Sequence, residues 1–169
     1  SFLRTYRWAQ HSFVRLAELF KVLNRNIDNR EDAYRLINGL EEGLETYLSL
    51  TLPDQSGWTG EDKENASLLK MFSVRQPFAL LMAAQEKIPA GVSQILKGIV
   101  NITMRYNVIS NLQAAEQERT YSRVAIGISN GTHTTANSVL SELRSIYPND
   151  TVLKANFATK TLDTGSSRT

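Results

Sequence analysis

The stretch Leu68–Lys87, LLKMFSVRQPFALLMAAQEK, is the least polar segment of this 169-residue chain. Pro77 has no backbone N–H and a φ fixed near the helical value, so it fits the first turn of a helix and not its interior. The seven residues that follow it are apolar on every face, which is typical of a helix buried on all sides or within a membrane. A membrane span needs about 20 such residues. The sequence therefore predicts a central buried helix over Pro77–Lys87.

Apolar residues at helical spacing predict further helices on both sides of this stretch. Before it, helices are expected over Phe2–Gln10, Phe13–Ile27 and Arg30–Leu50, and from Thr59 or Gly60 to Phe72. After it, helices are expected over Val92–Asn107 and Ala114–Ser129, from Thr134 or Thr135 onward, and in a last short segment that Asp150 caps. No segment shows the alternation of a strand. The prediction is an all-α bundle of about eight helices around the central one.

Two of these helices are predicted to bury wide apolar stripes. In the second helix the predicted inward residues are Leu16, Leu19, Phe20, Leu23 and Ile27. In the third they are Ala33, Leu36, Ile37, Leu40, Leu44, Tyr47 and Leu48. Acidic residues fill the outer face of the third helix, so it is expected to be amphipathic.

The domain organisation follows from the two ends of the chain. Residues 1–160 are predicted to form one helical domain, and residues 161–169 are Ser/Thr/Gly-rich and are expected to be a tail or linker. Apolar residues follow Ser1 at once, with no capping residue before them. Both ends indicate a piece of a longer polypeptide.

Composition narrows the possible chemistry. The formal net charge is +2, and the chain has no cysteine, which excludes disulfides, a thiolate nucleophile and cysteine-ligated metal. The lack of cysteine fits a reducing compartment, so a cytoplasmic location is predicted. No segment has the length and apolar character of a signal peptide or a membrane span, so no membrane partner is expected.

Charge is distributed unevenly along the chain. Residues 1–30 hold six Lys/Arg and two acidic residues, whereas residues 31–66 hold two Lys/Arg and nine acidic residues. Two interpretations are open: helix faces that neutralise one another within one domain, or a basic face for phosphate or a neighbouring domain.

No arrangement of residues in the sequence indicates catalysis. His11 and His133 are far apart and lack the spacing of metal ligands, and solvent-facing or capping roles are expected for both. The acidic clusters lie on the predicted solvent faces of helices. Phosphate-binding loops, dinucleotide-binding motifs and serine elbows are absent from the sequence. We therefore predict no catalytic residue, no metal ligand and no cofactor.

Six polar residues are weak candidates for contact with nucleic acid or with an adjoining domain. They are Arg4, Arg7, Arg15, Arg75, Arg105 and Asn107. Arg75 precedes the central helix, and Arg105 lies near the end of a predicted core helix. For these two arginines an internal role is the alternative, in which they pair with carboxylates or cap carbonyl groups.

Two segments carry a resemblance to a known family. VRQPFALLMAAQEK, ending at Lys87, resembles the K/R-Q-P-x-P-L-L-L-A-A-Y-E-K segment of GmrSD-like type IV restriction endonucleases, and MRYNVIS, starting at Met104, resembles their F-R-Y-N-V-I-G segment. Weaker similarities to this family extend along nearly the whole chain. Ala79 and Gln85 depart from its pattern, which has a second proline and a tyrosine there.

The resemblance implies the helical middle region of such an enzyme, between a ParB/Srx-nuclease-like N-terminal domain and a C-terminal HNH nuclease domain. Neither flanking domain is in this sequence, so the family's catalytic residues have no positions here. The implied function is a non-catalytic domain that couples nucleotide or modified-DNA sensing to cleavage. Its implied partners are the flanking nuclease domains and DNA. The alternative is a scaffold or oligomerisation module that does not bind nucleic acid.

Overall fold

A computed structural model of the chain describes residue 5, residues 16–25 and residues 27–160. This part of the chain forms eight α-helices and no strand. The helices are α1 (Leu19–Asn24), α2 (Arg30–Thr51), α3 (Gly60–Met71), α4 (Phe78–Lys87), α5 (Val92–Thr103), α6 (Ala114–Ser129), α7 (Ala136–Glu142) and α8 (Asp150–Thr159). A π-helix (Met104–Ile109) continues α5. The predicted all-α domain is confirmed.

Helix α4 is the centre of the bundle. Every residue from Phe78 to Ala84 is buried, and α4 packs most extensively against α6 and also against α2 and α5. The Tyr47 ring of α2 meets the Phe78 ring edge-on, with centroids 5.7 Å apart. Pro77 occupies the N-cap position of α4, where its missing N–H leaves no helical hydrogen bond unmade. The apolar stretch therefore folds as the sequence predicts.

The chain turns sharply between α3 and α4. Ser73 has a left-handed backbone with φ of 55°, and its N–H donates to the Lys70 carbonyl at 3.0 Å. The Val74 N–H donates to the Leu69 carbonyl at 3.0 Å, and both apolar side chains are buried. These two bonds and the apolar contact are those of a Schellman motif, which ends α3 and directs the chain into α4.

Helices α3 and α5 are joined by polar contacts at their exposed edge. Lys97 forms an ion pair with Glu61 at 2.6 Å, and the Ser93 hydroxyl donates to Asp62 at 2.6 Å. Two acidic residues of the acid-rich segment 31–66 are therefore bound by a lysine and a serine of a neighbouring helix. This agrees with the interpretation that oppositely charged helix faces neutralise one another.

Two predicted stripes are wrong in part. The predicted helix over Phe13–Ile27 is described only from residue 16, where a short 3₁₀ turn leads into α1, and Phe20 is exposed. In α2, Ile37, Leu44 and Leu48 are exposed, although the sequence analysis placed them inward. Only one side of α2 packs on the core, whereas its apolar residues cover a wider part of the helix surface, so some of them remain exposed. Of the predicted helix over Phe2–Gln10, only Thr5 lies among the described residues.

Two predicted helix ends also differ from the structure. The predicted helix over Val92–Asn107 is α-helical only to Thr103 and then widens into the π-helix. Asp150 was expected to cap the last helix, but the cap is Asn149, whose side chain accepts the Val152 N–H at 2.9 Å. A shift of one residue at a helix start is common where two adjacent residues can both cap. No helix among the described residues could cross a bilayer.

Candidate functional site

The most unusual local structure is the π-helix Met104–Ile109, which contains the RYN residues of the MRYNVIS segment. The Ser110 N–H donates to the Arg105 carbonyl at 3.1 Å, five residues back, as in a π-turn. Asn111, with a left-handed φ of 49°, ends the turn, and the Leu112 N–H donates to the Tyr106 carbonyl at 3.0 Å. Short π-segments of this kind are frequent at functional sites.

Arg105 lies on the side of the π-helix that faces the last described helix. Its Nη1 donates to Asp150 Oδ1 at 2.6 Å and to the Pro148 carbonyl at 3.1 Å. Its guanidinium carbon lies 4.6 Å from the centre of the Tyr147 ring. Arg105, Tyr147, Pro148 and Asp150 are hereafter the Arg105 cluster.

The Arg105 cluster attaches α8 to the domain. No residue of α8 is buried, and among the described elements it packs most extensively against the π-helix. The hydrogen bond from Arg105 lowers the pKa of the Asp150 carboxyl below its ordinary value, because it stabilises the ionised form. For Arg105, therefore, the structure shows the internal pairing that was one of the two alternatives.

Asn107 lies on the opposite side and faces α6. Its Nδ2 donates to Gln117 Oε1 at 2.9 Å, and Gln117 Nε2 donates back to Asn107 Oδ1 at 2.9 Å. Gln117 is fully buried and also approaches the Tyr121 hydroxyl at 3.4 Å. The two amide groups satisfy each other, which buried polar groups require.

Two tyrosines, Tyr106 and Tyr121, lie beside the Asn107–Gln117 pair. The Tyr106 hydroxyl donates to the Gln113 carbonyl at 3.0 Å and lies 3.4 Å from Glu116 Oε2. Burial, together with the Glu116 carboxylate, raises the pKa of Tyr106. Burial also raises the pKa of Tyr121 well above its ordinary value. Both phenols are therefore neutral hydrogen-bonding groups at physiological pH.

Sequence reasoning missed the partners of the π-helix. Gln117 was not selected, although it shares the inward face of α6 with Tyr121, Val124 and Ile128. A polar residue on an otherwise apolar stripe was the signal that could have identified it. Asp150 was assigned to a helix cap, and its partner Arg105 is 45 residues away in the sequence.

Of the four remaining candidate residues, only Arg75 lies among the described residues. Arg75 is exposed in the turn before α4, and its backbone N–H donates to Gln76 Oε1 at 3.1 Å. Arg4, Arg7, Arg15 and His11 lie outside the described residues. His133 is half-buried and packs over Gly127 after the end of α6. Within the described ranges, no group of three or more His, Asp or Glu side chains could hold a metal ion.

Comparison of the chain with protein-family models, with curated proteins and with solved structures finds no match.

Proposed function

We propose that this chain is a non-catalytic helical domain of a DNA-restriction endonuclease of the phage-defence type, in which it couples a nucleotide- or modified-DNA-sensing domain to an HNH nuclease domain. The resemblance of VRQPFALLMAAQEK and MRYNVIS to GmrSD-like proteins motivates the proposal. In this role the domain transmits the relative position of its neighbours and makes no covalent bond itself. The cell compartment is the cytoplasm, where a restriction enzyme meets incoming DNA.

The Arg105 cluster is the observation that supports a coupling role. It joins the π-helix to α8 through one charged hydrogen bond, one carbonyl contact and one ring contact. Because no residue of α8 is buried, the polar contacts of the Arg105 cluster contribute a large share of its attachment to the described part of the domain. An element attached in this way can change position at a low energetic cost, as a coupling element must.

The surface of α8 is suited to contact with a neighbouring domain. Phe157 is 68% exposed and Val152 is 40% exposed, so the helix presents apolar side chains that the described residues do not cover. In the proposed arrangement a flanking nuclease domain packs against α8. The Arg105 cluster then reports the position of that domain to α6 through the Asn107–Gln117 pair.

The coupling role is tested in the parent nuclease with Asp150→Asn, which removes the charge that holds Arg105 and keeps the side-chain shape. We expect cleavage to fall at least tenfold while binding of the activating nucleotide is unchanged. Glu142→Gln is the matched control, because it breaks another surface ion pair, Arg123–Glu142 at 3.3 Å. Equal cleavage by the parent enzyme and the Asp150→Asn variant would contradict the coupling role.

DNA is the second proposed partner, with Arg75 as the exposed described candidate and Arg4, Arg7 and Arg15 as further ones. Contacts with phosphates make affinity fall steeply as the salt concentration rises. We expect this chain to bind duplex DNA at low salt and Arg75→Glu to weaken binding several-fold, as measured by fluorescence anisotropy. Arg144→Glu is the control, because Arg144 is also exposed. No binding at low salt would reject the DNA contact.

The second candidate function is a scaffold or oligomerisation module without nucleic-acid binding. The exposed apolar face of α2, with Tyr34, Ile37, Leu44 and Leu48, favours it. The two candidate functions differ in the salt-dependent binding experiment, since only the first requires DNA binding.

A further inference from the structure

Helix α2 carries a row of exposed apolar side chains along one side. Tyr34, Ile37, Leu44 and Leu48 are 51%, 56%, 40% and 44% exposed. Glu41 lies between them, and the five residues are hereafter the α2 stripe. At 3.6 residues per turn, the stripe lies about a third of a turn around the helix from Leu36, Leu40 and Tyr47, which pack on the core. The domain's own described core therefore does not use the stripe.

The spacing of the α2 stripe is that of a helix-pairing surface. Its residues follow one another at steps of three, four, three and four, which is the heptad pattern of two helices packed side by side. From Tyr34 to Leu48 the stripe extends about 21 Å along the helix. A row of exposed apolar side chains, interrupted here only by Glu41, is unusual on an isolated soluble domain and marks an interaction surface.

The charges along the stripe select the relative direction of the partner helix. Arg30 lies one helical turn before the stripe, and its Nη2 donates to the Tyr34 hydroxyl at 2.9 Å, with the guanidinium 5.3 Å from the ring centre. Glu41 lies in the middle of the stripe and Glu45 beside its second half, and both are exposed. Two parallel copies would place Glu41 beside Glu41, and such like-charge contacts are destabilising. Two antiparallel copies would instead bring the basic start of each row towards the acidic half of the other.

We propose that two copies of this chain form a homodimer through antiparallel contact of their α2 stripes. The twofold axis crosses the pair at the level of residue 39 along the helix, so Tyr34 of each copy packs against Leu44 of the other. Arg30 of each copy then lies across from Leu48 and within one turn of Glu45 of the other. The same surface is used on both copies, as a twofold interface requires. The proposal does not depend on the endonuclease assignment.

The small area of the α2 stripe determines the affinity that we expect for the dimer. Stable interfaces bury about 800 Å² on each partner, and a single helix face is smaller than this. We therefore expect a dimer that dissociates in the micromolar range and whose affinity decreases with salt, because its two Arg30–Glu45 contacts are exposed.

Sedimentation of the full chain over a micromolar concentration series tests the proposal. We expect a monomer–dimer equilibrium, and Ile37→Ser or Leu44→Ser should weaken association at least tenfold. Met71→Ser is the matched control, because Met71 is an exposed apolar residue of α3, outside the stripe. It should leave the equilibrium unchanged.

Charge exchange tests the antiparallel direction. Arg30→Glu alone should weaken the dimer, and Arg30→Glu combined with Glu45→Arg should restore it. A glutamate in the first turn of a helix is favourable, so Arg30→Glu should not unfold α2. A chain that is monomeric at all concentrations would overturn the proposal, including the case in which residues 1–15 or another protein cover the stripe. A dimer unaffected by the stripe variants would also overturn it, and failure of the charge exchange would reject the antiparallel arrangement.

Discussion

At the scale of single residues, two pairs of hydrogen-bonded side-chain amides differ in how deeply they are buried. The Asn107–Gln117 pair joins the π-helix to α6, and Gln117 is fully buried. The Gln94–Asn137 pair joins α5 to α7 with a similar distance of 3.0 Å, but both of its residues are exposed. Removing one member of a buried pair leaves the other without a hydrogen bond, whereas water replaces the partner in the exposed pair.

Asn107→Ala should therefore lower the free energy of unfolding by about 2 kcal/mol. Asn137→Ala should lower it by less than about 0.5 kcal/mol. Urea denaturation of both variants measures the difference. Equal losses would mean that the buried amide of Gln117 finds water or another partner when Asn107 is absent.

The sequence indicated that Arg105 and Asn107 matter but could not show how. Internal pairing of Arg105 was one of two open alternatives, and the structure shows it. The direction of each side chain depends on the widened π-turn, which leaves no periodic signal in a segment of six residues. Identifying Gln117 and Asp150 as partners also required the packing of α6 and α8, which helix periodicity does not specify.

At the scale of elements, the attachment of α8 should depend on pH. Arg105 lowers the pKa of Asp150 in the folded chain, so the ionised carboxylate favours the attached state. The Arg105–Asp150 ion pair therefore contributes fully to the attachment of α8 above pH 3.8, the ordinary pKa of the carboxyl. This contribution is lost as the pH falls further, through the lowered pKa that Asp150 has in the folded chain. Amide hydrogen exchange of Asp150–Thr159 should accelerate over this range relative to that of α6.

Asp150→Asn supplies the control for this pH dependence. The variant should show faster exchange in α8 already at neutral pH and a weaker response to acid, because residue 150 no longer titrates. An unchanged acid response in Asp150→Asn would show that other carboxyl groups attach α8.

The bounds of the helices were easier to predict than the residues that they bury. The third helix was predicted to end at Leu50, and the corresponding helix α2 ends at Thr51. Three residues of α2 that were predicted to face the core are nevertheless exposed. Apolar spacing specifies a helix, but it cannot distinguish an apolar side that packs on the domain's own core from an apolar side that stays exposed. For this reason the sequence predicted that both sides of α2 face one core.

At the scale of the whole molecule, stability should depend on α4 far more than on the α2 stripe. Leu80 has no exposed surface and lies in the helix that contacts α2, α5 and α6. Leu80→Ala should lower the free energy of unfolding by about 2–5 kcal/mol. Leu44→Ala, at an exposed position, should change that of the monomer by less than about 1 kcal/mol.

Guanidinium denaturation at low protein concentration measures both changes without a contribution from association. Leu80→Ala should keep a single transition, because α4 joins the other helices into one cooperative unit. Two separate transitions in this variant would show that part of the bundle folds independently of α4. The apolar run Phe78–Ala84 within Leu68–Lys87 made this architecture predictable, since only a helix covered on all sides buries every residue of such a run.

The π-helix also has a consequence for how this chain can vary in evolution. A π-turn holds one more residue than the α-turn it replaces, so deleting one residue between Thr103 and Ser110 would restore regular α-helix. Loss of Tyr106, for example, would place Arg105 and Asn107 next to each other and about 100° apart, so they could no longer face their present partners on opposite sides. Length changes should therefore be rare in Met104–Ile109, whereas the loop around Gly57, which has open space beside it, should tolerate insertions.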